Sequence, residues 1–185
     1  RVNVFARALD REHMDRTVGV DVLVGASPAP VPAVQPLRVK SFVYARELPS
    51  IKHVGTFGLF HHRRLARLTG FDDALFVDAN GRISEGSIWN IGFVDRDGAV
   101  VWPQAPQLDG VGMRLIDAGL ASRGMRSRTR PVHLRELDAF RAAFFSNAGV
   151  PVRMLAAIDD RRFDADTEIP EHLLAAYRIN PPQAV

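Results

Sequence analysis

Only two lysines, Lys40 and Lys52, stand among 24 basic residues, and all the others are arginine. A lysine that survives such a bias draws attention to its amine. Lys52 lies in "PSIKHVGTFGLFHH" (49–62), between Pro49 and Gly55, where a strand is expected to give way to a helix and a side chain can project into a cleft. An amine in apolar surroundings loses proton affinity, because burial disfavours its charged form, and can then condense with a carbonyl to a Schiff base. A solvated loop lysine fits the same residues, and His53 beside it reads as a packing or surface side chain.

Three further stretches carry groups that could serve such chemistry. Glu85, in "RISEGSIWNIGF" (82–93), follows a hairpin strand and precedes a glycine. On a loop it is a solvated acid; buried, it requires a cationic or protonated partner. In "LDGVGMRL" (108–115), Gly110, Val111 and Gly112 open a helix. Helix N-termini leave N–H groups unpaired at the positive end of the dipole, so they bind phosphate, and glycine lets an anion approach the backbone closely. A plain turn-to-helix junction has the same pattern. "FFSNAG" (144–149) places Asn147 and Ala148 at a strand end, either as further N–H donors to an anion or as an ordinary loop.

Other chemical signals fall away. His61 and His62 are adjacent, so they face different directions and do not make the i, i+4 metal pair. "DANG" followed by Glu85 lacks the ligand spacing of a calcium loop. No G-x-S-x-G, P-loop or correctly placed G-x-G-x-x-G occurs, which removes support from classical hydrolase, NTPase and dinucleotide roles, and no metal site is expected.

The elements that must position these residues read as follows. "VNVFARAL" (2–9), "VGVDVLVGA" (18–26) and "LRVKSFVYAR" (37–46) are apolar and branched, and predict strands of one sheet. The proline-rich "SPAPVPAVQP" between the second and third predicts a loop. Residues 55–70 predict a helix with Phe57, Phe60, Leu65 and Leu68 near helical spacing and Gly70 as its C-terminal stop. Hairpins are expected about Asn80-Gly81 and Asp97-Gly98. A helix over 110–124, a strand near 126–131, a short helix near 134–138, strands near 142–146 and 150–158, and an amphipathic helix over 169–178 complete the chain. Sheets interleaved with helices and hairpins indicate a mixed α/β or α+β fold.

With 185 residues and 46% hydrophobic content the chain can build a sizeable core. A formal net charge of +3, with the arginines scattered, argues against nucleic-acid binding. Cysteine is absent, so disulfides and thiolate metal sites do not arise. No long apolar run or signal segment is present, so no membrane partner is expected and a cytoplasmic location is the default. The start at Arg1, directly inside an apolar alternation, gives the expectation that a preceding segment lies outside this sequence.

Taken in order and spacing, these motifs resemble the class IV, fold-type IV aminotransferases that use pyridoxal phosphate: branched-chain and D-amino acid aminotransferases and aminodeoxychorismate lyase. The resemblance runs from Arg1 to about residue 160. It rests on Lys52 at a strand end, on a helix closed by Gly70, and on "DANGRISEGSIWNIGF", which matches D-x-x-G-x-[IV]-[ST]-E-[GA]-x-x-x-N-[IL]-[FG]. The turn Gly110-Val111-Gly112 stands where the family has Gly-x-Thr, and Ser146-Asn147-Ala148-Gly149 stands where it has an S-G-T-A-like turn. The resemblance implies a D-amino acid aminotransferase-like fold, with residues 1–48 as the remnant of a smaller N-terminal domain and linker, and 49–185 as the larger cofactor-binding domain.

It further implies that Lys52 holds pyridoxal 5'-phosphate as an internal aldimine and shuttles the proton between substrate Cα and cofactor C4′. Glu85 would keep the pyridine nitrogen protonated, making the ring an electron sink. Gly110, Val111, Gly112, Asn147 and Ala148 would contact the cofactor, with the amides of Val111 and Gly112 on its phosphate, and Asn90 would support the Glu85 loop. The implied substrates are an amino acid and a 2-oxo acid, and the implied assembly is a homodimer. Three family hydroxyls are replaced here: a tyrosine by Phe57, and two threonines by Gly112 and Ala148. A lyase of the aminodeoxychorismate type, suggested by "IKHVG", and a non-catalytic relative that binds a ligand or partner remain alternatives.

Overall fold

Side chains alternate between two directions along most strands, and this alternation sorts the core into an interior and two covered flanks. The computed structural model describes residues 1–28, 35–163 and 168–181, in two compact units, Arg1–Val31 and Pro32–Val185. In the first unit, β1 (Val2–Phe5) and β2 (Asp21–Val24) pair antiparallel, from Val2↔Val24 to Phe5↔Asp21. Most of the proline-rich loop expected at 27–36 lies outside the described residues.

The second unit contains β3 (Leu37–Val43), α1 (Phe57–Leu68), β4 (Asp73–Val77), β5 (Ile83–Gly86), β6 (Asn90–Asp95), β7 (Val100–Pro103), α2 (Val111–Ser122) and β8 (Ser127–Arg130). A short 3-10 helix (Leu134–Ala139), β9 (Phe140–Ser146), β10 (Arg153–Ile158), β11 (Arg161–Arg162) and α3 (Glu168–Arg178) follow. The strands run β11-β10-β3-β4-β5-β6-β7-β8, and β9 pairs with both β10 and β6. Thus β3, β4, β5, β6, β9 and β10 close into a ring, which leaves those strands without free edges.

β3 corrects one expectation. It does not share a sheet with the first two strands; it pairs parallel with β4, from Val39↔Asp73 to Val43↔Val77, and parallel with β10. Leu37 and Val39 are buried in the interior of the ring, whereas Val2, Val4, Val22 and Val24 are exposed.

Inside the ring lie Val39, Leu75, Val77, Ile91, Phe93, Ala143 and Phe145. The intervening residues face outward under helices: Ala74 and Phe76 beneath Leu59 and Ala66 of α1, and Ala142 and Phe144 beneath Ile116 and Leu120 of α2 and Leu173 of α3. A slip of one residue would exchange these sets and bring Phe76 and Phe144 into the ring, so with both faces buried it is side-chain size that fixes the register.

α1 forms where expected but presents another face. Phe57, Phe60 and Leu68 are exposed, and the buried residues are Leu59 and Ala66. The small Ala66 and the half-buried His62, whose ring centroid is 4.5 Å from that of Tyr44, let the helix settle on the sheet; the larger phenylalanines are left outside. Gly70, at φ +86°, ends the helix, with Gly70 N–H bonded to Arg67 C=O and Phe71 N–H to Ala66 C=O. The hairpins share one device: Asp78 Oδ1 accepts from the N–H of Asn80 and Arg82 around Gly81, and Asp95 Oδ1 from those of Asp97 and Ala99 around Gly98. Among the described residues, no helix is long and apolar enough to cross a membrane.

Candidate active site

Glu85 lies on β5, on the same strand face as Ile83, and is buried. The turn that follows it is rigidly tied. Gly86 N–H bonds to Trp89 C=O at 2.8 Å, and a Cβ on Gly86 would sit 2.0 Å from the Trp89 indole, so only glycine fits. Buried Asp73 accepts from Ser87 Oγ at 2.6 Å and Trp89 Nε1 at 3.2 Å, which pins both ends of the turn to β4.

The Glu85 carboxylate has two partners. Oε2 accepts from Leu108 N–H at 3.1 Å, and Oε1 lies 3.3 Å from Arg46 Nε in an ion pair whose side chains are 6% and 8% exposed. Burial raises the carboxyl above its ordinary value; the Leu108 N–H, the Arg46 guanidinium and the Lys52 ammonium each pull it back down. Arg46 went unnoticed in the sequence because one arginine among so many carries no spacing signal. The Leu108 amide, a backbone group, has no sequence signal at all.

Lys52 sits in the loop between β3 and α1 and is exposed, so its amine does not have the apolar surroundings envisaged from the sequence. The loop itself is held firmly. Arg46 donates to Pro49 C=O, Ile51 N–H bonds to Leu48 C=O at 2.8 Å, and His53 bridges the segment. His53 Nδ1 accepts from Gly55 N–H at 3.1 Å, which leaves Nε2 as the donor to Glu47 C=O at 2.9 Å. Arg46 therefore joins the Lys52 loop to Glu85.

The third wall is the N-terminus of α2. Gly110 is its N-cap, no side chain among the described residues caps it, and no acidic residue occupies its first turn; its first N–H groups have no intrahelical partner. Asn90, registered opposite both Glu85 and Ser146, donates to Leu108 C=O at 2.6 Å. Leu108 thus gives its N–H to Glu85 and its C=O to Asn90. Both glycines of the turn are close-approach positions: a Cβ on Gly110 would fall 2.0 Å from Asn90 Oδ1, and one on Gly112 would fall 2.4 Å from Ser146 Oγ.

A cavity of about 310 Å³ opens between these walls, lined by Lys52, Glu85, Gly110, Val111, Asn147 and Ala148 together with Arg46 and His53. Six of the seven residues singled out in the sequence therefore meet at one place; Gly112 lies one residue deeper in α2. The Asn147 carboxamide is already spent: Oδ1 accepts from Gly149 N–H and Val150 N–H in its own turn, and Nδ2 donates to Ile88 C=O in the turn after β5. Phe57 does not line the cavity; it is 84% exposed and stacks on His61.

Residues 1–158 match the family model for amino-transferase class IV. This chain belongs to that family. No curated protein matches it in a sequence search. Among solved structures, a fold IV transaminase from Curtobacterium pusillum is 23% identical, with TM-score 0.67, covering 76% of this chain and 52% of its own. A Legionella pneumophila protein assigned as a 4-amino-4-deoxychorismate lyase is 18% identical, with TM-score 0.70, covering 85% and 59%. The PLP-bound form of a hypothetical aminotransferase from Mycobacterium tuberculosis is 16% identical, with TM-score 0.73, covering 85% and 61%. At these identities the likeness is one of fold, and the chain spans between half and two thirds of the length of each. The cofactor of class IV amino-transferases is pyridoxal phosphate. An amine, a buried carboxylate and an uncapped helix N-terminus around one cavity are chemically suited to its aldehyde, ring nitrogen and phosphate.

Proposed function

We propose that the protein is a pyridoxal-phosphate-dependent aminotransferase that moves an amino group from an amino acid to a 2-oxo acid. The observation that carries this reading is that one cavity is lined by Lys52, Glu85 and, at the start of α2, Gly110 and Val111. When bound, the cofactor supplies an electrophilic carbon and a protonated ring that takes up the electron pair left when a substrate Cα–H bond breaks. Lys52 would hold that carbon through its amine, and the same amine would move the proton between substrate Cα and cofactor C4′. Arginine cannot substitute, because a guanidinium does not give up its charge.

Glu85 holds the proton on the ring nitrogen. To do so it must be ionised, and burial opposes this; Arg46 and the Leu108 N–H work in the other direction. The amides of Val111 and Gly112 would hold the phosphate, and Asn147 and Ala148, just after β9, border the cavity with Val111. The exposed side chains of Leu48, Ile51, Val54 and Phe57 beside Lys52 support a homodimer in which this apolar rim is covered.

A lyase of the aminodeoxychorismate type would use the same Lys52 to remove a proton and then expel a group from the adjacent carbon. The His53 next to Lys52 raises this second reading. Both ring nitrogens of His53 are committed to backbone partners, which leaves neither to protonate a leaving group, and this favours amino transfer. The test is a half-reaction: protein loaded with pyridoxal phosphate is mixed with a panel of amino acids, and the cofactor absorbance and released products are followed. Conversion to the pyridoxamine form with a 2-oxo acid as product is expected. Pyruvate plus an aromatic amine from aminodeoxychorismate would establish the lyase, and failure to take up any cofactor would indicate a non-catalytic relative.

A further inference from the structure

We propose that the hydroxyl of Ser146 is a ligand of the phosphate group, standing in for the side-chain hydroxyl that residue 112 lacks; this rests on the reading of the α2 N-terminus as the phosphate seat. Ser146 ends β9 and is 0% exposed, and its Oγ has no hydrogen-bond partner among the described residues. A buried hydroxyl left unpaired carries a desolvation penalty that a ligand relieves, so such groups point to something that completes them.

The location of this hydroxyl indicates what does. A Cβ built on Gly112 would fall 2.4 Å from Ser146 Oγ, so the hydroxyl occupies the volume in which a side chain at residue 112 would begin. Gly112 is the second residue of α2, where the N–H has no intrahelical partner and an anion is favoured. A hydroxyl rotates freely about its C–O bond and can turn its proton toward an anion at that amide.

Asn90, the cross-strand neighbour of Ser146, makes the comparison sharp. It fills the corresponding volume at Gly110, but its amide is spent on Leu108 C=O and Gln107 Oε1. Of the pair on which the first turn of α2 rests, Asn90 positions the helix and Ser146 keeps its hydroxyl unspent. With glycine at 112, the first turn of α2 closes directly over the Ser146 hydroxyl, and the strand beneath the helix offers the group that the helix itself lacks.

The test measures equilibrium binding of pyridoxal phosphate, pyridoxal and inorganic phosphate to the parent protein and to Ser146→Ala. A hydrogen bond to a charged group corresponds to about a ten- to hundredfold change in affinity. We expect Ser146→Ala to weaken pyridoxal phosphate and inorganic phosphate by that factor, to leave pyridoxal unchanged, and to leave the thermal midpoint of the ligand-free protein at or above that of the parent. Ser146→Cys, which keeps the shape but is a weak donor, should lose phosphate affinity likewise. Parent-like phosphate binding in both variants overturns the proposal and leaves the α2 seat standing, as does an equal loss for pyridoxal and its phosphate. A parent that binds pyridoxal and pyridoxal phosphate equally well overturns the seat itself, and the role of Ser146 with it.

Discussion

Replacing Arg46 with methionine tests how Glu85 is kept ionised. The guanidinium and the carboxylate are 6% and 8% exposed with Nε and Oε1 3.3 Å apart, so removing one partner leaves the other charge buried. Breaking a buried pair typically costs about 3–5 kcal/mol. Among the described residues Nε makes no aligned hydrogen bond, which places the expected cost near the lower end, about 3 kcal/mol at pH 8. The cost must also depend on pH. Glu85 has its carboxyl raised from an ordinary 4.5 in the folded protein, chiefly by burial. The folded state therefore binds this proton more tightly than the unfolded state. The associated stability is full below 4.5 and is lost as pH rises through the folded value. Without Arg46 the folded value rises further, so this loss continues to higher pH, at up to about 1.4 kcal/mol per pH unit. Urea unfolding of the cofactor-free protein at pH 4 and pH 8 measures both ends. A deficit of about 1 kcal/mol or less at pH 4, growing to about 3 at pH 8, is expected. A deficit equal at the two pH values would refute the electrostatic account and leave only lost packing.

Other substitutions check the remaining walls. Gly110→Ala should destabilise by about 1–3 kcal/mol through overpacking against Asn90 Oδ1. In the Asn90→Ala background the same change should cost markedly less, a coupling read from a double-mutant cycle in urea. Glu85→Gln should retain bound pyridoxal phosphate, seen by absorbance, yet lose most of the half-reaction with amino acids. The carboxyl of Asp78 is held below its ordinary 3.8, first by the Arg82 N–H. It contributes stability above that pH which is lost in acid, so Asp78→Ala should be less stable at neutral pH and converge with the parent on acidification.

Much of this architecture was legible because it is written in local rules. The two Asp-x-x-Gly hairpins, the helix stop at Gly70 and the uncapped opening of α2 each follow from one residue's backbone or side-chain needs, and each stands where expected. The partners of β3 were not legible. Its pairing with β4 and β10 joins residues far apart in sequence, and an apolar branched strand reads alike in either sheet. The face of α1 was misjudged because the larger phenylalanines mark the stripe by size, while the buried face is built from Leu59, Ala66 and a half-buried histidine. At the site, Lys52, Glu85 and the glycines stood out by type and spacing. Arg46, the Leu108 amide and Ser146 depend on what the fold brings beside them, and nothing local marks them.

The compositional oddity of the chain makes the central claim directly measurable, since only two lysines compete. Lys40 lies on β3 with Nζ 5.1 Å from the Phe71 ring centroid and does not line the cavity; Lys52 does. Protein loaded with pyridoxal phosphate, reduced with borohydride and digested, should carry the phosphopyridoxyl mass on the peptide containing Lys52 and none on that containing Lys40. Labelling of Lys40 to a similar extent, or no label on Lys52, would contradict the account.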